Sequence, residues 1–253
     1  MFKKYLIPKT LFVLLCLVGS LRSSAQGELQ FGIQLSPAFS TMRTNDNLIN
    51  SDGSNLGLKV GLIAEYYFQE NYSIHTGFGF HLNGGGTLFY EDEFQAVRIW
   101  NESLGEAFNQ VPDSLAGGTA FKYDINLLEI PLGLTLRTRQ FGYITYFARP
   151  QLNLGFVTGS NGSVENVSTI DSEEEFDIGE EVNGINLGWG IGGGIEYAVS
   201  DQTALIAGLA YHSGFSDLTR DKGTQVRRRG RNPREDDSKG TIGSFVITLG
   251  VMF

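Results

Sequence analysis

Residues 72–83 alternate with a period of two. Tyr72, Ile74, Thr76, Phe78, Phe80 and Leu82 fall on one side of an extended chain, and Ser73, His75, Gly77, Gly79, His81 and Asn83 fall on the other. One face is apolar and the other polar or glycine, over the roughly 9–11 residues that a tilted strand needs to cross a bilayer. The same rule predicts a strand over 56–68, where Leu56, Leu58, Val60, Leu62, Ala64, Tyr66 and Phe68 oppose a face carrying Lys59 and Glu65. Segment 143–156 sets Ile144, Tyr146, Ala148, Leu152, Leu154 and Phe156 against Thr145, Arg149, Gln151 and Asn153. Segment 185–199 sets Ile185, Leu187, Trp189, Ile191, Ile195, Tyr197 and Val199 against Asn186, glycines and Glu196. Segments 29–39, 203–213 and 242–253 follow the rule less sharply. Segment 121–136 follows it only if the phase slips once at Leu127-Leu128, as a β-bulge would make it do.

Eight strands result, and their connections alternate in length. Segments 69–71, 137–142 and 200–202 are short, whereas 41–55, 84–120, 157–184 and 214–241 are long. An even strand count with short turns on one rim and long loops on the other predicts an all-β fold. It is an eight-stranded antiparallel transmembrane β-barrel of the outer membrane, with long extracellular loops and both termini on the periplasmic rim. A soluble ligand-binding barrel would share the period. It is disfavoured because the second face is glycine, Ser, Asn, Gln and a few charges, too short and polar to pave a soluble exterior, while the apolar face carries Tyr, Phe and Leu near strand ends.

Composition adds the compartment. No stretch reaches the roughly 18 consecutive apolar residues of a membrane-spanning helix. The start nevertheless reads as an export signal: Lys3, Lys4 and Lys9, then apolar residues 11–18, then Ser23-Ser24-Ala25 as a cleavage site. Residues 1–25 are therefore expected to be a signal peptide and 26–253 the barrel domain. Cys16, the only cysteine, falls in the signal, so thiol and disulfide chemistry is excluded from the mature chain. Loss of Lys3, Lys4, Lys9 and Arg22 reduces the 19 basic residues to 15 against 28 acids, a net charge of −13 that disfavours nucleic acid as a partner.

The chain resembles the small eight-stranded outer-membrane barrels of Bacteroidota known as PorT-like or outer-membrane β-barrel domain proteins. The resemblance lies in Leu127-Leu128-Glu129-Ile130-Pro131-Leu132-Gly133-Leu134, in Pro150-Gln151-Leu152, in Gly190-Ile191-Gly192-Gly193-Gly194-Ile195-Glu196-Tyr197, and in the ending Thr248-Leu249-Gly250-Val251-Met252-Phe253. It implies a barrel accessory to type IX secretion or envelope organisation. The terminal Phe253 resembles the signal read by the barrel-assembly machinery. Outer-membrane lipid, lipopolysaccharide and other envelope or secretion proteins are the remaining partners implied.

Candidate chemistry lies first on the polar face. Lys59, Glu65, Lys122, Asp124, Glu129, Arg149 and Glu196 are assigned to the lumen, with Glu65 opposite His75 and Glu129 within about one rung of Arg149. Paired carboxylates can do acid–base work, but eight strands leave an interior that side chains fill. An ion-pair network of Lys59, Glu65, His75, Glu129, Arg149 and Glu196 that plugs the barrel is the expectation. His75 and His81 are about 20 Å apart along one strand, too far to share an ion, and His212 lies four strands from His81, so no metal is expected. His212-Ser213 invites comparison with lipid A deacylases, yet adjacent residues point to opposite faces and 242–253 supplies no acid. Gly188-Trp189-Gly190-Ile191-Gly192-Gly193 spells a dinucleotide fingerprint inside a strand, where it cannot open a helix. It is read as a smooth strip of wall that makes room for Phe147 or Arg149. No cofactor and no catalytic residue is assigned.

The loops differ in charge. Residues 157–184 hold eight acids and no base, while 214–241 hold eight bases. Solvated loops are the plain expectation. The acidic loop could bind Ca²⁺ through Asp171, Glu173, Glu175 and Asp177, although Phe176 stands where a turn glycine would. Arg227, Arg228, Arg229, Arg231 and Arg234 could hold lipopolysaccharide phosphates or a partner, or the two loops could pair. The function expected is that of a non-enzymatic surface interaction or scaffold barrel. A small porin, an adhesin-like barrel and a lipid-modifying enzyme are the alternatives.

Overall fold

A computed structural model of the chain describes residues 28–46, 49–91, 94–97, 100, 118–165, 174–220, 225–228, 232, 234–235 and 238–253; the signal-like stretch 1–25 lies outside them. Eight long strands form the wall: β1 (Glu28–Arg43), β2 (Asn55–Gln69), β3 (Tyr72–Tyr90), β4 (Ala120–Arg137), β5 (Ile144–Glu165), β6 (Ile185–Ala198), β7 (Ala204–Gly214) and β8 (Thr241–Met252). Each pairs antiparallel with the next, and β8 pairs back onto β1, so the ring of eight strands closes on itself. The closing seam runs to the last residue, where Phe253 N donates to Phe31 O at 2.8 Å and Phe31 N donates to Phe253 O at 3.1 Å.

The register fixes the geometry. Stepping from Gln30 to its partner on each strand passes Glu65, His75, Gly133, Gln151, Gly190, His212 and Ser244, and returns to β1 at Ser40, ten residues beyond the start. With usual strand rise and spacing, that stagger tilts eight strands by about 40° and leaves a bore that side chains can fill.

Over most of the wall the alternation is inverted relative to a soluble protein. The outward residues of β1 are apolar: Phe31 is 47% exposed, Ile33 52% and Leu35 53%. The inward residues of the wall, Ser36, Ser40, Lys59, Glu65, Ser73, His75, His81, Thr135 and Arg149, are buried and polar. Aromatic pairs ring the short-turn rim, Phe68 with Tyr72 at 6.3 Å, Phe141 with Tyr146 at 6.4 Å and Tyr143 with Tyr197 at 6.0 Å between centroids, as at a membrane interface.

Toward the long-loop rim the pattern turns over. The β3–β4 register shifts between His81 and Gly84, and the β4–β5 register shifts opposite Asn126 and Leu127, leaving extra residues at Asn83, with φ 55°, and at Thr158. Past these bulges β3 points Leu88 and Tyr90 inward and β5 points Val164 inward. The slip expected at Leu127-Leu128 is therefore not on β4. That strand keeps one alternation throughout, and it is the environment that changes. Phe121, Tyr123, Ile125 and Leu127 face an apolar interior instead of lipid, while Lys122 and Asp124, expected in the lumen, face outward and pair with each other at 3.4 Å.

That interior is an apolar plug above the polar lumen. Met42, Phe121, Ile125, Ile178, Val182, Leu218 and Ile242 are all buried in it. Trp100 packs edge-on against Phe121 and Tyr123 at 5.0 and 5.1 Å and donates Nε1–H to the Tyr123 hydroxyl at 3.1 Å. The long segments are thus not simply solvated where they are described, because Ile178, Val182 and Leu218 sink into the plug and Val182 bridges to Thr219. Short strands at Ile49–Ser51 and Phe176–Asp177 extend the wall, and Phe94–Val97, Gln225–Arg228 and Arg234–Glu235 form a separate three-stranded sheet.

Candidate functional site

Two polar clusters fill the lumen below the plug. The lower one is built on inward positions of β2, β4, β5 and β6. Glu65 accepts from Arg149 Nη2 at 2.6 Å, from Arg137 Nη2, and from the Ser73 hydroxyl at 2.8 Å. Arg137 also donates to Glu196 through Nε at 2.7 Å and Nη2 at 2.8 Å. Its guanidinium lies 4.7 Å from the Tyr67 ring centroid, and that of Arg149 lies 4.7 Å from Phe147. Two cations and two carboxylates thus neutralise one another within a bore where an unpaired charge would be costly.

Arg137 is absent from the expected network. It is the last inward residue of β4, after Gly133 and Thr135, and only that parity distinguishes it from the polar turn that follows. Glu65 and His75 are register partners, but the carboxylate turns to the arginines and His75 contacts Thr135 at 3.1 Å and Gln151 at 3.2 Å.

The upper cluster centres on Lys59, which donates to Glu129 at 2.6 Å and to His212 Nδ1 at 3.1 Å. Glu129 is accordingly not beside Arg149. Its register partner on β5 is Gly155, six residues along that strand from Arg149. His81 reaches Glu129 through Nδ1 at 3.4 Å and Ser40 through Nε2 at 3.2 Å, and Ser40 meets Ser244 at 3.0 Å. His81 and His212, four strands apart along the wall, therefore meet the same ion pair from opposite sides. A cavity of about 80 Å³ separates the clusters, with His75, Gln151, Asn153, His212 and Thr248 on its wall. A bowl of about 260 Å³ opens at the short-turn rim down to Arg137 and Glu196.

Ser40, His81 and Glu129 stand in the order of a nucleophile, a base and its orienting acid. The chemistry is blocked by the surroundings. Ser40 is fully buried, His81 is 1% exposed, and Lys59 holds the carboxylate. The cleft beside them has a volume of about 20 Å³, too small for an acyl substrate. His212 and Ser213 point to opposite faces of β7, inward and outward. The glycines of β6 line the wall, with Gly192 opposite Arg149 and Gly194 opposite Phe147 in register. At Gly190 a Cβ would lie 2.6 Å from His212 Cδ2, so glycine there makes room for the imidazole ring.

Of the loop residues, Asp171, Glu173, Arg229 and Arg231 lie outside the described residues. Asp177 accepts from Gly179 N at 2.9 Å, just before the turn Gly179–Glu181. Glu175 is exposed. Arg227 and Arg228 belong to the strand Gln225–Arg228, and Arg234 to Arg234–Glu235. The acidic and basic loops meet where Arg220 N donates to Glu181 O at 2.8 Å and the Arg220 guanidinium lies 3.7 Å from Glu180.

Among solved structures the chain is similar to Neisserial surface protein A, at 14% identity over 88% of this chain and 95% of that one, with a TM-score of 0.44. It is similar to the attachment invasion locus protein Ail of Yersinia pestis, at 14% identity over 90% and 99%, with a TM-score of 0.39. The outer membrane protein OprG of Pseudomonas aeruginosa gives 12% identity over 88% and 95%, with a TM-score of 0.40. No curated protein matches. The family described as outer membrane protein beta-barrel domain matches residues 23–220, most of the closed wall, and the chain belongs to that family.

Proposed function

We propose that the protein is a non-catalytic surface barrel whose wall is an anchor, whose lumen is a sealed structural core, and whose long-loop rim is the working surface. In this assignment residues 1–25 direct export, the short turns face the periplasm and the long loops face outward. The observation that carries it is the closure of the bore. The Lys59–Glu129 pair at 2.6 Å sits under a plug containing Ile125, Leu127 and Ile242, and this filling of the bore by the described residues supports a lumen that carries neither ions nor substrate. What remains for recognition is the rim, where a loop of eight acids adjoins a loop of eight bases. The PorT-like sequence features support an accessory role toward secretion or envelope-assembly proteins.

The test is photo-crosslinking in cells from positions in 157–184 and 214–241. Reproducible capture of envelope or secretion proteins, lost when both loops are shortened, is the expected result. Capture of lipopolysaccharide alone would replace the scaffold role with that of a free-standing adhesin-like barrel. Sustained single-channel currents from the refolded protein would overturn the sealed lumen itself.

A further inference from the structure

Above the apolar band at the β1–β8 seam, two cations face outward. Phe39 and Phe245 are register partners, 42% and 46% exposed, and mark the top of the band. Four register pairs higher, on the same face, is the pair Arg43 and Thr241. Beyond it Lys239 N donates to Asn45 Oδ1 at 2.7 Å, which carries the seam further. The alternation also continues, because Lys239 is exposed between buried Ser238 and Gly240. Arg43 and Lys239 therefore share the outer face as diagonal neighbours, a separation of about 7–8 Å between backbones.

Arg43 does not extend freely into solvent. Its side chain leans across β8 over Gly243, where a Cβ would lie 3.3 Å from Cζ, and reaches β7, donating Nη1–H to the Tyr211 hydroxyl at 2.7 Å. Tyr211 is the register partner of Phe245 and packs edge-on against Trp189 at 6.0 Å. The guanidinium is thereby held at the upper edge of the lipid-facing band, beside interfacial aromatics, with donors left over. Among the described residues no carboxylate lies within ion-pair distance of Arg43 or Lys239.

We propose that Arg43, Tyr211 and Lys239 form a binding site for the phosphate of an outer-leaflet lipid, a phosphorylated lipid A headgroup whose acyl chains lie along Phe39 and Phe245. A planar guanidinium with free N–H groups suits a phosphate oxygen pair, and the ammonium adds a second charge. The outer-leaflet identity rests on the orientation proposed above. The test is done on purified protein, so its outcome is separate from that of the cellular topology.

The full mature chain, refolded in detergent micelles, is titrated with lipid A and with dephosphorylated lipid A, and bound lipid is counted by native mass spectrometry. Lipid A is expected to bind at least about tenfold more tightly than its dephosphorylated form. The double variant Arg43→Ala/Lys239→Ala is expected to lose that preference while still shifting on unheated gels. Arg139→Ala, at the opposite rim, is expected to keep it. Equal binding of the two lipids by the wild-type chain, or full preference in the folded double variant, would overturn the site. Displacement of lipid A by millimolar inorganic phosphate would assign the site to a free anion instead and overturn the lipid.

Discussion

Glu65→Ala is the sharpest probe of the lumen. Glu65 is fully buried and accepts from Arg149 at 2.6 Å, from Ser73 at 2.8 Å and from Arg137. Without it Arg137 keeps both bonds to Glu196, and Ser73 keeps the 2.7 Å bond from Arg137 Nη1. Arg149 fares worse, retaining Thr135 at 3.1 Å and a Glu196 oxygen at 3.8 Å. One uncompensated buried cation costs about 3–5 kcal/mol, which corresponds to roughly a thousandfold in the unfolding equilibrium. Reversible urea unfolding in phospholipid vesicles, followed by tryptophan fluorescence, reads that loss. The double variant Glu65→Leu/Arg149→Met removes both charges and is expected to return to within about 1 kcal/mol of the parent. A loss below about 1 kcal/mol for the single variant, or a double variant worse than the single, would refute the view that these charges are dry and mutually paired.

Four further outcomes are expected. Ile125→Ala should open a cavity in the plug, costing about 2–5 kcal/mol locally, and speed tryptic cleavage of the long loops without abolishing the gel shift of the folded wall. Asn83→Val should be about 1–2 kcal/mol less stable than Asn83→Gly in the same urea assay, because only valine meets the positive φ with a side chain, while both variants lose the Nδ2–H bond to Leu56 O at 2.9 Å. A fluorophosphonate probe should leave Ser40 unlabelled in the folded protein, and labelling abolished by Ser40→Ala would show that the cluster is accessible. Removal of Phe253 should slow membrane assembly, followed by the unheated-gel shift over time, since both backbone groups of that residue bond Phe31 at the seam.

The wall was legible where its two faces differ along the strand, as in β2, β3 and β6, because lipid selects against unpaired polar groups over that height. The polar exception in β3, Thr76, donates its hydroxyl to Pro131 O at 2.9 Å. β4 misled for a physical reason. Its apolar residues change parity between Leu127 and Leu128, and a change of parity reads equally as a bulge under one solvent or as straight strand crossing from one solvent to another. The bulges that do occur fall at Asn83 and Thr158, in runs where glycine and small polar residues blur the period. Arg137 was hidden by the polar residues that follow it. The Ser40–His81 contact spans 41 residues, and the meeting of Lys59 with His212 spans 153; both depend on chords across the bore, which no count along neighbouring strands supplies. The plug was hidden because Ile178, Val182 and Leu218 are isolated apolar residues in charged loops, and only the tall β3–β5 wall gives them something to pack against.

The bulges at Asn83 and Thr158 have a consequence for how such a chain can change. Below them the wall obeys the rules of lipid, greasy outside and polar within; above them the same strands obey the rules of water. Where the sequence parity of a strand changes between the two codes, as in β3 and β5, a bulge keeps its faces in place, and β4 crosses without one. Deleting Thr158 would remove the extra residue and leave a regular alternation in which Ser160, Gly162 and Val164 still face inward opposite Ile125, Tyr123 and Phe121. The bulge can thus be lost without turning that stretch inside out, and substitutions confined to the cap leave the lipid-facing register untouched. The barrel is in this sense two proteins sharing one set of strands, and the upper one is free to diversify while the lower one stays fixed.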